Sequence, residues 1–367
     1  MRCVEVGAFQ GAGATIWSRP RRGATVSGGE SLLPGNAGNA TLAAMTHDAA
    51  PPPEPTAARP LPTAPPRPTI DVDLVRRLVA TQFPRWADLP VRPVDVDGWD
   101  NRTFHLGADM TVRLPSDEGY VPQVAKEHRW LPVLAPRLPL PIPVPVAQGA
   151  PGLGYPFVWS IYRWIEGDLA RVGGIDDLTG FATDLAEFLV TLQRIPSADG
   201  PPAGPHSAFR GCPLDQFDAE TRRAIAALDG RINRRTATAV WENALSATWN
   251  GESVWFHGDV AVNNLLVRDG RLSAVIDFGC SGVGDPACDV TIAWTLFAGE
   301  SRKAFRDVLR VDPATWARGR GWTIWKALIM LAGHLDTEPA QAATARHVID
   351  EVLREFDESR DAALDRT

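Results

Sequence analysis

The stretch from Trp255 to Gly279 constrains the fold more than any other part of the chain. It opens on the polar loop His257-Gly258-Asp259 and passes through Val260-Ala261-Val262-Asn263-Asn264 into the apolar run Leu265-Leu266-Val267. Arg268-Asp269-Gly270-Arg271 reads as a tight turn, and a second apolar run, Ala274-Val275-Ile276, ends on Asp277-Phe278-Gly279. Asp-Gly between two apolar runs predicts a β-hairpin. A hairpin there fixes two carboxylates and an amide at the rim of a small sheet. Those oxygens suit a divalent cation carrying a polyphosphate, with one carboxylate left to hold a hydroxyl. Asp259 is the candidate for the hydroxyl, and Asn264 and Asp277 for the metal. Turn stabilisation accounts for Asp259 or Asn264 taken singly. It does not account for all three in register with an apolar strand.

The order of elements around this stretch points to an α+β chain of two lobes. Leu74, Val75, Leu78 and Val79 keep helical spacing behind Asp71, which predicts a short capped helix. Val91–Val96, Arg102–Leu106 and Met110–Leu114 read as strands, with Gly98-Trp99-Asp100-Asn101 and Gly107-Ala108-Asp109 as turns. A helix is expected from Val121 to Leu134, with Pro122 in its first turn and Pro132 shortening or kinking its end. Pro139–Pro145 predicts an extended connection into a strand near Val144–Ala147, and Phe157–Ile165 a further apolar strand. Beyond Asp168 the pattern turns helical: Asp176–Leu192, Leu214–Leu228, Thr236–Trp249, then Ile292–Ala298, Ala314–Leu335 and Ala340–Arg360. Strands followed by helices predict a small, mostly antiparallel lobe with one helix over residues 70–165, and a larger helical lobe over 166–367. Residues 1–69 are rich in Gly, Ala, Ser and Pro, too poor in burial to offset ordering entropy, and are expected to be disordered; Met45 inside them is an alternative start.

Composition excludes several classes. The net charge of −7 offers no basic surface for nucleic acid and would be repelled by an anionic membrane. The four cysteines lack zinc or redox spacing, which fits a reducing cytoplasm, with Cys280 and Cys288 as packing residues. No apolar run approaches the roughly 20 residues of a membrane span.

With these residues in view, His257-Gly258-Asp259 followed by Asn264 and Ile276-Asp277-Phe278-Gly279 resembles the catalytic segment of the aminoglycoside phosphotransferase family. Gly284-Asp285-Pro286-Ala287-Cys288-Asp289 resembles that family's next motif. The resemblance implies a bilobal, protein-kinase-like fold and transfer of the γ-phosphoryl group of ATP or GTP, with Mg2+, to a small-molecule hydroxyl. The implied acceptor is an aminoglycoside-type antibiotic, with a macrolide or a metabolite alcohol as alternatives. It further implies a cation on the third strand paired with a Glu on the following helix. Where Lys is usual this chain has Val112-Arg113-Leu114, so Arg113 is the candidate, partnered by Glu127. Its other near cation, Lys126, points elsewhere on the helix. Asp285, Asp289 and His257 are expected as caps and loop braces. The phosphate-covering loop is expected at Gly98–Thr103, with Asn101 in it, and adenine against the backbone around Ser160 and Tyr162. Acidic residues of the helical lobe, among them Asp218, Glu220, Glu351 and Glu355, offer a surface for a polyamine sugar or are simply solvated faces. Because Arg113 departs from the usual Lys, an inactive nucleotide-binding pseudokinase is a further alternative.

Overall fold

A computed structural model describes residues 69–364, except Val96, Asp97, Trp99 and Asp336. The tail expected over residues 1–69 therefore falls outside the described residues but for Thr69, as do Val96 and Trp99 of the first strand and turn.

The first helix, α1 (Val72–Gln82), is capped by Asp71, whose carboxylate accepts the Leu74 N–H at 2.8 Å. Then come β1 (Val91–Pro93), β2 (Asn101–Leu106) and β3 (Met110–Pro115), helix α2 (Val121–Leu134), β4 (Pro145–Gly149) and β5 (Trp159–Arg163). The five strands form one antiparallel sheet in the order β1-β2-β3-β5-β4. Strand alternation sorts its two faces. Phe104, Leu106, Val112, Leu114 and Ile161 face one way and bury the apolar stripe of α1, Leu74, Val75, Leu78 and Val79. Arg113, which pairs with Ser160, and Thr111, which pairs with Tyr162, belong to the opposite face, where α2 lies. α2 spans the expected Val121–Leu134, with Pro132 inside its last turn and no shortening there. Pro132 stands so near the end that its missing N–H removes one terminal bond and leaves the rest of the helix intact.

The remaining elements are a two-residue β6 (Asp168–Leu169), α3 (Leu178–Arg194), α4 (Asp218–Ala227), α5 (Arg234–Ser246), β7 (Val254–Phe256), β8 (Leu265–Arg268), β9 (Arg271–Val275), β10 (Gly282–Gly284), α6 (Ile292–Thr295), α7 (Gly299–Leu309), α8 (Pro313–His334) and α9 (Pro339–Leu364). Their helices share a second core in which Phe181, Phe188, Trp241, Trp294, Trp316, Trp322 and Leu328 are buried. β8 and β9 form the expected hairpin, with Asp269 and Gly270 both at positive φ, as a two-residue turn of this twist requires. β7 pairs with β10, so the strands that enter and leave the segment from His257 to Ser281 are clamped together. Among the described residues no helix is long and apolar enough to cross a membrane.

Candidate active site

The loop after β7 carries His257, Gly258 and Asp259, and its path is fixed from several sides. Gly258 has φ +85°, and a Cβ there would lie 2.5 Å from the Cys280 carbonyl oxygen, so only glycine fits. The buried Asp289 carboxylate accepts the N–H groups of His257 and Gly258 at 2.8 and 2.7 Å. The His257 ring lies between two backbone groups: Nδ1 accepts the Asp259 N–H at 3.2 Å, and Nε2 donates to the Ile276 carbonyl at 3.0 Å. His257 thus bridges the loop to the strand that leads to Asp277. A second bridge joins the same segments, from the Ile276 N–H to the Asn264 carbonyl at 2.8 Å.

Asn264 donates from Nδ2 to the Asp259 carbonyl at 2.9 Å and to its carboxylate at 3.0 Å. That directs the amide oxygen of Asn264 away from Asp259, where it accepts from Asn263 at 3.1 Å. Asp277 leaves the end of β9 in the left-handed region, φ 64°, a conformation that costs a non-glycine residue about 1–3 kcal/mol. Asp259, Asn264 and Asp277 are thus held by short, cross-linked backbone, as the hairpin reading expected.

Two cations flank Asp259. Lys326 of α8 places Nζ 3.6 Å from its carboxylate, both side chains 27% exposed. Arg210, from the loop between α3 and α4, donates from Nε to the Gly258 carbonyl at 3.2 Å and lies over the rings of Trp322 and Trp325 at 5.1 and 5.2 Å. Burial alone would raise the Asp259 carboxyl, but Lys326 and then Arg210 bring it below the ordinary carboxylate value. Asp259 therefore stays ionised at neutral pH.

On the sheet side, Arg113 reaches from β3 to Glu127 on α2 at 3.8 Å and to Asp277 at 3.7 Å, and lies 5.6 Å over the Tyr162 ring. Burial opposes its charge, yet Glu127 and then Asp277 hold its pKa above the ordinary Arg value. The Tyr162 hydroxyl donates to Glu127. The Ser160 hydroxyl bonds the His128 ring at 3.0 Å. The side chains of Ser160 and Tyr162 are thus engaged with α2, and the β5 backbone there pairs with β3 on one side and β4 on the other. Asn101 is buried at the start of β2.

Beside it, Asp100 accepts from Gln123 of α2 at 3.2 Å. Burial, and then the charge of Asp277, push its carboxyl up to about 6. Lys126 does point away from the Arg113 pair, but it has a definite destination. Its Nζ donates to the carbonyls of Gly279 at 2.6 Å, Ser281 at 3.0 Å and His206 at 3.2 Å, and lies 3.3 Å from the His206 Nδ1. The helix that carries Glu127 is thereby tied to the segment that carries Asp277. No spacing rule reveals such a contact. Further on, Asp285 caps the turn after β10 and forms a buried two-bond pair with Arg318, at 2.6 and 3.1 Å.

The oxygen-only set of Asn264 and Asp277 suits a hard cation such as Mg2+, which commonly takes one or two protein ligands and completes its shell with water and phosphate. Among the described residues no group of three or more His, Cys, Asp or Glu is arranged for a metal. Cys280 offers no thiolate: burial pushes its thiol up to about 12.

The profile of the phosphotransferase enzyme family, APH, matches residues 91–322. The chain belongs to that family. The matched span takes in every candidate residue from Arg113 to Asp277. Among solved structures, the GDP and kanamycin complex of APH(2")-IIia superposes with a TM-score of 0.59 at 18% identity, covering 77% of this chain and 99% of that one. The gentamicin–APH(2")-IIa complex gives 0.54 at 18% identity, over 78% of this chain and 96% of that one. The apoenzyme of macrolide 2'-phosphotransferase MphH from Brachybacterium faecium gives 0.51 at 20% identity, over 76% and 97%. These likenesses are of fold, the protein-kinase-like fold of a phosphotransferase. No curated protein sequence matches the chain.

Proposed function

We propose that this phosphotransferase moves the γ-phosphoryl group of ATP or GTP to a hydroxyl of a small molecule, with Asp259 as the group that holds the hydroxyl. The reading assigns residues 70–165 to nucleotide binding and 166–367 to catalysis and acceptor binding. The acceptor oxygen attacks the γ-phosphorus, the bond to the β–γ bridging oxygen breaks, and the nucleoside diphosphate leaves with that electron pair. Asp259, ionised and fixed by Asn264, orients the hydroxyl and takes up its proton. Arg113 faces the phosphates as the cation that Glu127 positions. Mg2+ on Asn264 and Asp277, when bound, supplies charge neutralisation between the phosphates.

The observation that carries the reading is the convergence of Asp259 and Asn264, joined at 3.0 Å, with Asp277 tied to the same loop through Ile276. Complexes of relatives with GDP and with kanamycin add support for a nucleotide and for an antibiotic acceptor. The pseudokinase alternative draws on the Arg at the Lys position. Against it, Arg113 makes the contact with Glu127 that the Lys is expected to make. Transfer of labelled γ-phosphate from Mg-ATP or Mg-GTP onto a panel of aminoglycosides, macrolides and simple alcohols tests the reading. Transfer abolished by EDTA is expected; nucleotide binding without transfer to any acceptor would favour the pseudokinase.

A further inference from the structure

Asp259 is held through the two peptides that flank it. The one that follows is fixed from Asn264, whose Nδ2 donates to the Asp259 carbonyl at 2.9 Å. The one that precedes is gripped at both polar ends. Its N–H, that of Asp259, donates to the His257 ring at 3.2 Å, and its carbonyl, that of Gly258, accepts from Arg210 Nε at 3.2 Å. His257 and Asn264 lie on the same segment as Asp259, whereas Arg210 comes from the connection between α3 and α4. Gly258 cannot fix that peptide unaided, because glycine lacks the Cβ that restricts backbone rotation. Turned over, the peptide would point its carbonyl away from Arg210 and its N–H away from His257, and would swing Asp259 off its line.

The connection is built to deliver Arg210 there. Val283 of β10 donates to the Pro201 carbonyl at 2.9 Å and accepts the Ala203 N–H at 2.8 Å, and the Gly211 carbonyl accepts the Asp285 N–H at 3.1 Å. The chain is thus stitched down on either side of Arg210. Just before it, Ala208 and Phe209 both take left-handed backbone, φ 49° and 59°, a conformation unfavourable for residues with a Cβ. The guanidinium lies against the buried indoles of Trp322 and Trp325 on α8. Its Nη1 is buried and has no hydrogen-bond partner among the described residues. An unpaired buried donor and two left-handed residues oppose folding, and both fall at the side chain that reaches the Gly258 carbonyl. We infer that Arg210 is a positioning residue for phosphoryl transfer. By its bond to the Gly258 carbonyl it fixes the Gly258–Asp259 peptide, and with it the direction in which Asp259 meets the acceptor hydroxyl. This rests on the phosphotransferase reading of Asp259.

Two measurements on the full chain test this together: amide hydrogen exchange at Asp259, followed by NMR, and steady-state transfer to the best panel acceptor. Arg210→Ala is expected to speed exchange of the Asp259 N–H about tenfold or more, because the peptide gains its second orientation. It is expected to lower kcat by about 10–10²-fold, the scale of a misplaced catalytic group, and to leave KM for Mg-nucleotide within about twofold. Methylguanidine added to Arg210→Ala is expected to raise kcat severalfold and to leave the wild type unchanged. Arg210→Lys keeps a charged donor and most of the stem. It is expected to fold and to lie between the other two in exchange and in kcat, and it carries the test if the alanine variant fails to fold. Wild-type exchange at Asp259 in the variants overturns the inference, as does a kcat within about twofold of the wild type. So does a kcat lost in step with nucleotide affinity and not recovered by methylguanidine, which would make Arg210 a support of the fold alone. A wild type that transfers to no acceptor would instead sink the phosphotransferase reading, while the exchange rates would still report whether Arg210 holds the peptide.

Discussion

Replacing Lys126 with Met removes one ammonium and leaves the carbonyls of Gly279, Ser281 and His206 without their common donor. A hydrogen bond from a charged group contributes roughly 1.5–3 kcal/mol, and three such bonds would sum to roughly 5–9 kcal/mol if they were additive. They are not additive, because they share one ammonium, and burial already lowers the Lys126 pKa, so its desolvation opposes the gain. A net loss of about 2–4 kcal/mol is therefore expected, the usual scale for a broken buried network. At about 2 °C per kcal/mol for a chain of this size, the melting temperature should fall by about 4–8 °C. Because the contact joins the Glu127 helix to the Asp277 segment, kcat for phosphoryl transfer should fall together with stability, even well below the melting temperature. Lys126→Arg keeps the charge and should recover part of both. Calorimetry and steady-state kinetics at 20 °C read the two effects separately. A Lys126→Met protein with unchanged melting temperature and unchanged kcat would refute the argument that this ammonium holds the two segments together.

Three further substitutions probe other parts of the site. Asp100→Asn should stabilise the metal-free protein above pH 6: the folded carboxyl titrates at about 6 rather than 3.8, so wild-type stability falls as pH rises between those values, by up to about 3 kcal/mol. Urea unfolding in EDTA at pH 4 and pH 8 checks this, with a small difference at the first and the full one at the second. Arg113→Ala should raise KM for the nucleotide by about tenfold or more, because it removes the cation between Glu127 and Asp277, as measured by initial rates at varied Mg-nucleotide. Asp285→Ala leaves the Arg318 guanidinium buried without its partner and should destabilise the fold by about 3–5 kcal/mol in denaturant titration.

Much of this was legible in the sequence because it follows local rules. The Asp269-Gly270 turn fixes the hairpin, the hairpin fixes Asp277, and α2 begins and ends where its pattern places it. Alternation along β3 puts Arg113 on the face towards Glu127, while Val112 and Leu114 enter the other core. Helix α7 escaped notice because its buried side includes Arg302, which bonds the carbonyls of Ala293 and Phe297, in a place where an apolar residue would have marked the stripe. The very short β7 and β10 carry too few residues to show a period, and only their mutual pairing defines them. Lys126, Arg210 and Lys326 act through contacts between distant segments, so no motif announces them. The acidic helix residues could be read by composition as a polyamine surface or as solvated faces; that Glu220 accepts from the Trp325 indole and Glu351 pairs with Arg302 appears only in three dimensions.

The central claim is that Asp259 holds and deprotonates the acceptor hydroxyl. The direct measurement is the rate of γ-phosphoryl transfer by Asp259→Asn, under saturating Mg-nucleotide, to whichever panel acceptor the wild type uses best. Nucleotide affinity is followed in parallel. Asn keeps the shape and the contact with Asn264 but removes the charge. A fall in kcat of about 10²–10⁴-fold with nucleotide affinity little changed is expected. Transfer by Asp259→Asn at the wild-type rate would contradict it.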